Sequence, residues 1–143
     1  MANKPEGMDI VASGHTADDL ETQIKEARAF IETGIDAYVF ISNRFAKEDE
    51  SDEVLLKNMK YVADALPEIP FGVYECPYPY KRVLTPELLK KMADDGRFQF
   101  LKDTFIISPN SILYILNSSK HIKKYRAAAE TAALIFSPLA VYN

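Results

Sequence analysis

Pro70-Phe71-Gly72-Val73-Tyr74-Glu75 and Arg97-Phe98-Gln99-Phe100-Leu101-Lys102 decide how this chain is read. Both are short apolar runs bounded by proline or glycine, the pattern of a strand. Between them lie a proline- and tyrosine-rich loop, Cys76 to Leu84, and a helix start at Thr85-Pro86-Glu87. Thr85 is suited to cap, Pro86 to the first helical position, and Glu87 to the positive end of the helix. Leu88, Leu89 and Met92 supply an apolar face, and Gly96 ends the helix. The segment thus reads as strand, helix, strand.

The same unit recurs upstream. Met8 to Gly14 reads as a strand, followed by a helix capped by Thr16, with Leu20, Ile24, Ala27 and Ile31 in one stripe and Gly34 at its end. Asp36 to Ser42 is nearly all apolar, as expected of a strand covered on both faces. After a polar loop from Asn43 to Glu50, a helix from Asp52 to Leu66 presents Leu55, Met59, Val62 and Leu66, and Pro67 stops it. Strands therefore begin at intervals of about 30 residues, the rhythm of βαβ units in a parallel sheet. Four such units suit part of a (β/α)₈ barrel or a doubly wound, flavodoxin-like sheet serving as a binding module. Periodicity does not choose, but strand order does: an arc of a barrel runs sequentially, and a doubly wound sheet reverses. In the tail, Ile112 to Leu116 suits a strand or a helical turn, and Lys120 to Phe136 is rich in helix formers.

In either fold, ligands bind at the carboxyl ends of the strands. Gly14-His15-Thr16, Ser42-Asn43-Arg44, Tyr74-Glu75-Cys76 and Lys102-Asp103-Thr104 stand there. Lys102 closes an apolar run. A lysine there either snorkels to water or sits desolvated, which favours the neutral amine that attacks a ketone. Tyr74 ends the preceding strand and is either a rim aromatic or a proton relay beside that amine. The acidic run Lys47 to Glu53 reads as a solvated helix entry, and Cys76 as a free thiol near the site.

Three segments, Val73-Tyr74-Glu75-Cys76-Pro77, Leu84-Thr85-Pro86-Glu87-Leu88 and Phe100-Leu101-Lys102-Asp103-Thr104, resemble the dihydrodipicolinate synthase and N-acetylneuraminate lyase family in order and spacing. Gly14-His15-Thr16 is similar to the family's Gly-x-x-Thr turn. The resemblance covers about residues 8–104. It implies a TIM-type (β/α)₈ barrel about twice this length, commonly homo-oligomeric. It also implies condensation of pyruvate with an aldehyde, or the reverse cleavage, through a lysine Schiff base and without metal or organic cofactor. On that resemblance Lys102 is the Schiff-base residue, Tyr74 the proton relay, and Gly14, Thr16 and Thr104 bind substrate. The arginine that family members taking a dicarboxylate aldehyde carry two residues past the proline is Pro79 here, with Arg82 displaced. The loop after Ser42 lacks the family's tyrosines.

The chain has 143 residues and a net charge of −4, which gives it no bulk attraction to nucleic acid or anionic membranes. One cysteine excludes an intrachain disulfide. No apolar run of membrane-spanning length and no secretory leader is visible, and the expected compartment is the cytoplasm. Residues 1–103 carry 13 basic and 20 acidic residues, whereas 104–143 carry 4 basic and one acidic. The expectation is therefore the central part of a barrel over 1–104, about four parallel βα units, followed by an atypical tail over 105–143. The family's N-terminal strands have no counterpart, so the expected chain is truncated and inactive alone.

Overall fold

The computed structural model describes residues 7, 9–14, 17–102 and 133–134. Its elements in chain order are β1 (Val11–Ala12), α1 (Leu20–Glu32), β2 (Ala37–Ile41), a 3₁₀ turn (Ser42–Arg44), α2 (Asp52–Asp64), β3 (Phe71–Tyr74), α3 (Pro86–Asp95), β4 (Phe98–Lys102) and β5 (Ala133–Leu134). The sheet order is β1-β2-β3-β4-β5, with the first four strands parallel. Strands follow one another without a switch point, which is the arc of a (β/α)₈ barrel and not a doubly wound sheet.

Local chemistry sets the helix limits. Thr85 caps α3 by accepting from the Leu88 N–H, Pro86 stands in its first turn, and Gly96 closes it at φ 77°. Only glycine takes that left-handed conformation without cost. The α1 start differs from the sequence expectation: Asp19, not Thr16, is the cap, its carboxylate accepting from the Thr22 N–H at 2.8 Å. Both types are good caps, and the charged oxygen three residues closer to the stripe wins. Thr16 itself, like His15 and Thr104, lies outside the described residues.

The sheet has two faces. Tyr38, Phe40, Phe71, Val73 and Leu101 point to the helices and join Ile24, Ala27, Leu55, Met59, Val62, Leu88 and Met92 in the main core. Phe40 is its hub, stacked on Phe71 at 4.9 Å and within 5.0 Å of Phe45 and 5.8 Å of Phe98 between ring centroids. The opposite face carries Ala37, Val39 and Phe100, with Val11 and Tyr74 packed against them. This is the inner face of the arc.

A register shift joins the two halves of the β3–β4 pair. Phe71 pairs with Phe98, but Gly72 pairs with Phe100, so Gln99 is an extra residue. Such a bulge reverses the facing of everything beyond it. Phe98 therefore packs with the helices, whereas Phe100 and Lys102 turn inward. The tail also departs from expectation: Ala133–Leu134, within the stretch rich in helix formers, pairs antiparallel with β4. No helix among the described residues is long and apolar enough to cross a membrane.

Away from the strand ends, Arg97 ties α2 and α3 to β4. Its guanidinium donates to Asp64 at 2.9 Å and to Asp95 at 2.7 Å. Hydrogen bonds from Arg97 hold both carboxyls below the ordinary aspartate value of 3.8. The folded state thus prefers the ionised form. That stabilisation is full above pH 3.8 and fades as pH falls through the depressed folded values. Arg97→Gln is expected to flatten the acid limb of a stability-versus-pH curve measured by urea denaturation. A limb as steep as that of the parent chain contradicts the assignment.

A second expectation concerns Gly72. A Cβ there would overlap the Phe100 ring. Gly72→Ala is expected to lower stability by about 1–3 kcal/mol. Phe100→Leu in the same chain should recover part of the loss, and simple additivity in that cycle would refute the contact's role.

Candidate functional site

Tyr74 and Lys102 are register partners at the ends of β3 and β4. Because of the bulge their side chains share the inner face, and Lys102 Nζ lies 4.4 Å from the centroid of the Tyr74 ring. That is within cation–π distance. The ladder continues one step further, with the Glu75 N–H donating to the Lys102 carbonyl at 3.0 Å. Both side chains are partly buried. The Tyr74 hydroxyl is pushed above the ordinary phenol value, first by burial and then by the neighbouring Cys76 thiol. At neutral pH it keeps its proton and can donate it.

Alternation along the chain sends Glu75 the other way. It is 4% exposed, accepts from the Leu84 N–H at 2.8 Å and pairs with Lys81 at 3.6 Å. It therefore shapes the loop after β3 and does not face the amine.

That loop is clamped by residues the sequence reading left in the polar segment after β2. The Asn43 side-chain nitrogen donates toward the carbonyls of Cys76, Tyr78 and Tyr80 at 3.0, 2.9 and 2.6 Å. An amide has two N–H donors, so three acceptors share them. The reversed amide would set its oxygen against three carbonyls, which fixes its orientation. Asn43 Oδ1 is buried and has no hydrogen-bond partner among the described residues. Tyr80 answers by donating to the Asn43 and Ala46 carbonyls at 3.0 and 2.5 Å. Ser42 donates to the Arg82 carbonyl at 2.9 Å.

Arg82, 9% exposed, gives its guanidinium to the Lys47 and Glu48 carbonyls at 3.0 and 3.2 Å and to Asp52 at 2.9 Å. Asp52 also accepts from the Thr85 hydroxyl at 2.8 Å. Asn43 and Arg82 thus fasten the loop after β2 to the loop after β3. An asparagine just past an apolar strand was the available sequence signal, but it marks any polar turn equally well.

Of the other expected site residues, Gly14 follows β1, at the far side of β2 from Tyr74. Its N–H donates to the Tyr38 hydroxyl at 3.0 Å. A Cβ at Gly14 would meet that hydroxyl at 2.7 Å and Glu26 at 2.9 Å, so the turn needs glycine. The cleft lined by Gly14, Gln23, Tyr38 and Arg44 has neither Tyr74 nor Lys102 in its wall. Thr16 and Thr104 lie outside the described residues. Among those described, no three His, Cys, Asp or Glu side chains converge on a possible metal position.

The fold and its inward corner define a class: a partial TIM barrel with an amine and a phenol facing its interior. In fold, the arc is similar to part of the barrel in solved structures of dihydrodipicolinate synthases and a related family member. Dihydrodipicolinate synthase from Bacillus anthracis matches with a TM-score of 0.62 and 15% identity, over 80% of this chain and 37% of its own. YagE, a prophage protein of the dihydrodipicolinic acid synthase family from E. coli K12 solved with pyruvate, matches at 0.61 and 22% identity, over 78% and 36%. The Cyanidioschyzon merolae enzyme, solved with lysine bound, matches at 0.62 and 16% identity, over 78% and 37%. At these identities the shared property is the fold. The chain spans little more than a third of the length of those structures. No family model matches it, and no curated protein matches it by sequence.

Asn43→Ala removes the donors from three carbonyls. The expected cost is about 1–3 kcal/mol, read by urea denaturation, with faster amide exchange confined to residues 76–80. Unchanged exchange in that loop would show that the clamp is not what holds it.

Proposed function

We propose that this chain carries the reacting corner of a carbon–carbon lyase or aldolase of the pyruvate Schiff-base type. The supporting observation is the Lys102 amine at 4.4 Å from the Tyr74 ring on the inner face of the arc. The neutral amine attacks the C2 carbonyl of pyruvate and gives a carbinolamine. The protonated phenol then supplies a proton to the departing hydroxyl, and water leaves as the iminium forms. The iminium draws electrons from C3, which gives up a proton to the phenolate left by the preceding step and becomes the nucleophilic carbon of an enamine; C3 then adds to the carbonyl of an aldehyde, and in the reverse direction that bond breaks to return the enamine. These steps use the chain's own amine and phenol.

Pyruvate as ligand is supported by its presence in the YagE structure. The aldehyde partner is unassigned, but Arg82 has its NH1 and NH2 groups engaged with Lys47, Glu48 and Asp52. That speaks against Arg82 holding the second carboxylate of a dicarboxylate aldehyde. On this reading Gly14, Thr16 and Thr104 serve substrate binding, residues 1–104 are the barrel part and 105–143 an atypical tail, and the setting is cytoplasmic. Four parallel strands do not close a barrel. The chain by itself is therefore expected to capture pyruvate without turning over an aldehyde, and a homo-oligomer would belong to the full-length enzyme.

The test is to incubate the 143-residue chain with pyruvate and borohydride and to map the adduct by peptide mass spectrometry. One reduced pyruvate adduct on Lys102 is expected, absent in Lys102→Ala. Tyr74→Phe should slow trapping by about 100-fold or more. No adduct, or an adduct spread evenly over the other lysines, would overturn the reading.

A further inference from the structure

Glu75 stands where the β3–β4 ladder ends and the loop after β3 begins. Its N–H donates to the Lys102 carbonyl at 3.0 Å, one step beyond the register pair of Tyr74 and Lys102. Its side chain is buried. One carboxylate oxygen accepts from the Leu84 N–H at 2.8 Å, and the other stands 3.6 Å from Lys81 Nζ. Leu84 is buried as well and belongs to the main core on the helix side of the sheet. One residue therefore joins the Lys102 backbone to a fixed point in the core. The same bond closes the loop 76–83 across its two ends.

We propose that Glu75 is a positioning residue for Tyr74 and Lys102: its carboxylate, tied to the core-anchored Leu84 N–H, holds shut the last rung of the β3–β4 ladder. This deepens the proposed function and rests on that reading for its catalytic meaning. A carboxylate is a costly way to fill a buried site, since an apolar side chain of similar size needs no partner. What the charged group adds is direction. Its oxygen meets one N–H, and the strand end that carries it is held in one place. Ladder ends open more readily than ladder centres. Here the last rung is the bond from Glu75 to Lys102, and it lies beside the two proposed reacting side chains. Opening it frees the backbone next to Tyr74 and the Lys102 carbonyl together, and the 4.4 Å separation of amine and ring is then no longer fixed. The bond to Leu84 opposes that opening from the helix side.

The test compares the whole chain with Glu75→Leu, Glu75→Gln and Lys81→Met. Leucine fills the site without an acceptor, glutamine keeps an oxygen for the Leu84 N–H, and methionine at position 81 removes the ion pair alone. Amide exchange followed by NMR reads the rung directly and needs no pyruvate. In the parent chain the Glu75 and Leu84 amides are expected to be protected and to exchange at one rate. In Glu75→Leu the position-75 amide should exchange about 10-fold faster, corrected for side-chain identity, with the other two variants close to the parent. Borohydride trapping supplies the catalytic readout. At saturating pyruvate Glu75→Leu should slow adduct formation on Lys102 by about 10-fold with the final yield unchanged, and Glu75→Gln should restore the rate. A merely structural loss lowers the yield and leaves the rate alone. A Glu75 amide that exchanges freely in the parent chain overturns the proposal, whether or not Glu75→Leu folds. So does parent-like exchange in Glu75→Leu, or a loss in Glu75→Gln or Lys81→Met as large as in Glu75→Leu. Failure of trapping in the parent chain removes the aldolase reading, and the exchange comparison still decides the positioning role.

Discussion

The Phe100 ring occupies the space where any side chain at position 72 would stand, and the register of the strand pair shifts just before that contact. Gly72 and Phe100 are register partners immediately after the extra residue Gln99. Had the ladder run on regularly from Phe71 and Phe98, Tyr74 would have faced Leu101, and Lys102 would have turned toward the helices. One inserted residue reverses that parity. The bulge sends Phe100 inward, glycine makes room for its ring, and Lys102 arrives two residues later on the Tyr74 side. The proposed chemistry depends on this shift more than on any single polar group.

The helix side of the sheet supplies the rigidity that lets such a shift persist. Phe40, 1% exposed, is in ring contact with Tyr38, Phe45, Phe71 and Phe98, residues drawn from three strands and the turn after β2. A ring in a close-packed interior cannot move without disturbing several neighbours. Phe98 on one side of the bulge and Leu101 on the other are both anchored in that core. The backbone between them has to accommodate Gln99, whose side chain is exposed. The apolar core thus absorbs the irregularity, and the inner face receives its consequence.

Much of this was legible from residue order. The βα rhythm, the buried stripes of α1 and α2, the cap and stop of α3, and the placing of Tyr74 and Lys102 at the ends of successive strands follow from spacing and local chemistry. The bulge was not legible, because Phe98-Gln99-Phe100 has the alternation of an ordinary strand with both rings on one face. In the folded chain the two rings lie on opposite faces. Asn43 was hidden for another reason. Its partners are backbone carbonyls at Cys76, Tyr78 and Tyr80, and carbonyls carry no side-chain signature. The start of α1 was misread because two good capping residues stand three apart, and propensity alone does not rank them. The antiparallel strand at Ala133–Leu134 follows no helical or alternating pattern and depends on the free edge of β4.

The two loops above the strand ends complete the physical case. A loop after a barrel strand usually owes its shape to its own turns, and such loops are mobile relative to the elements they connect. Here the loop after β3 is fastened at Cys76, Tyr78 and Tyr80 by one asparagine from the loop after β2, and Arg82 is fastened to that same loop by carbonyls and a carboxylate. The fastening begins two residues beyond Tyr74. A phenol whose strand is packed below it and whose following loop is held above it has little freedom to leave the amine. Geometry of this kind is set before any substrate arrives, and that is the condition under which a proton relay gains from proximity. The amide clamp and the bulge act on one pair of side chains from two directions, so a defect in either should be felt at the same two residues.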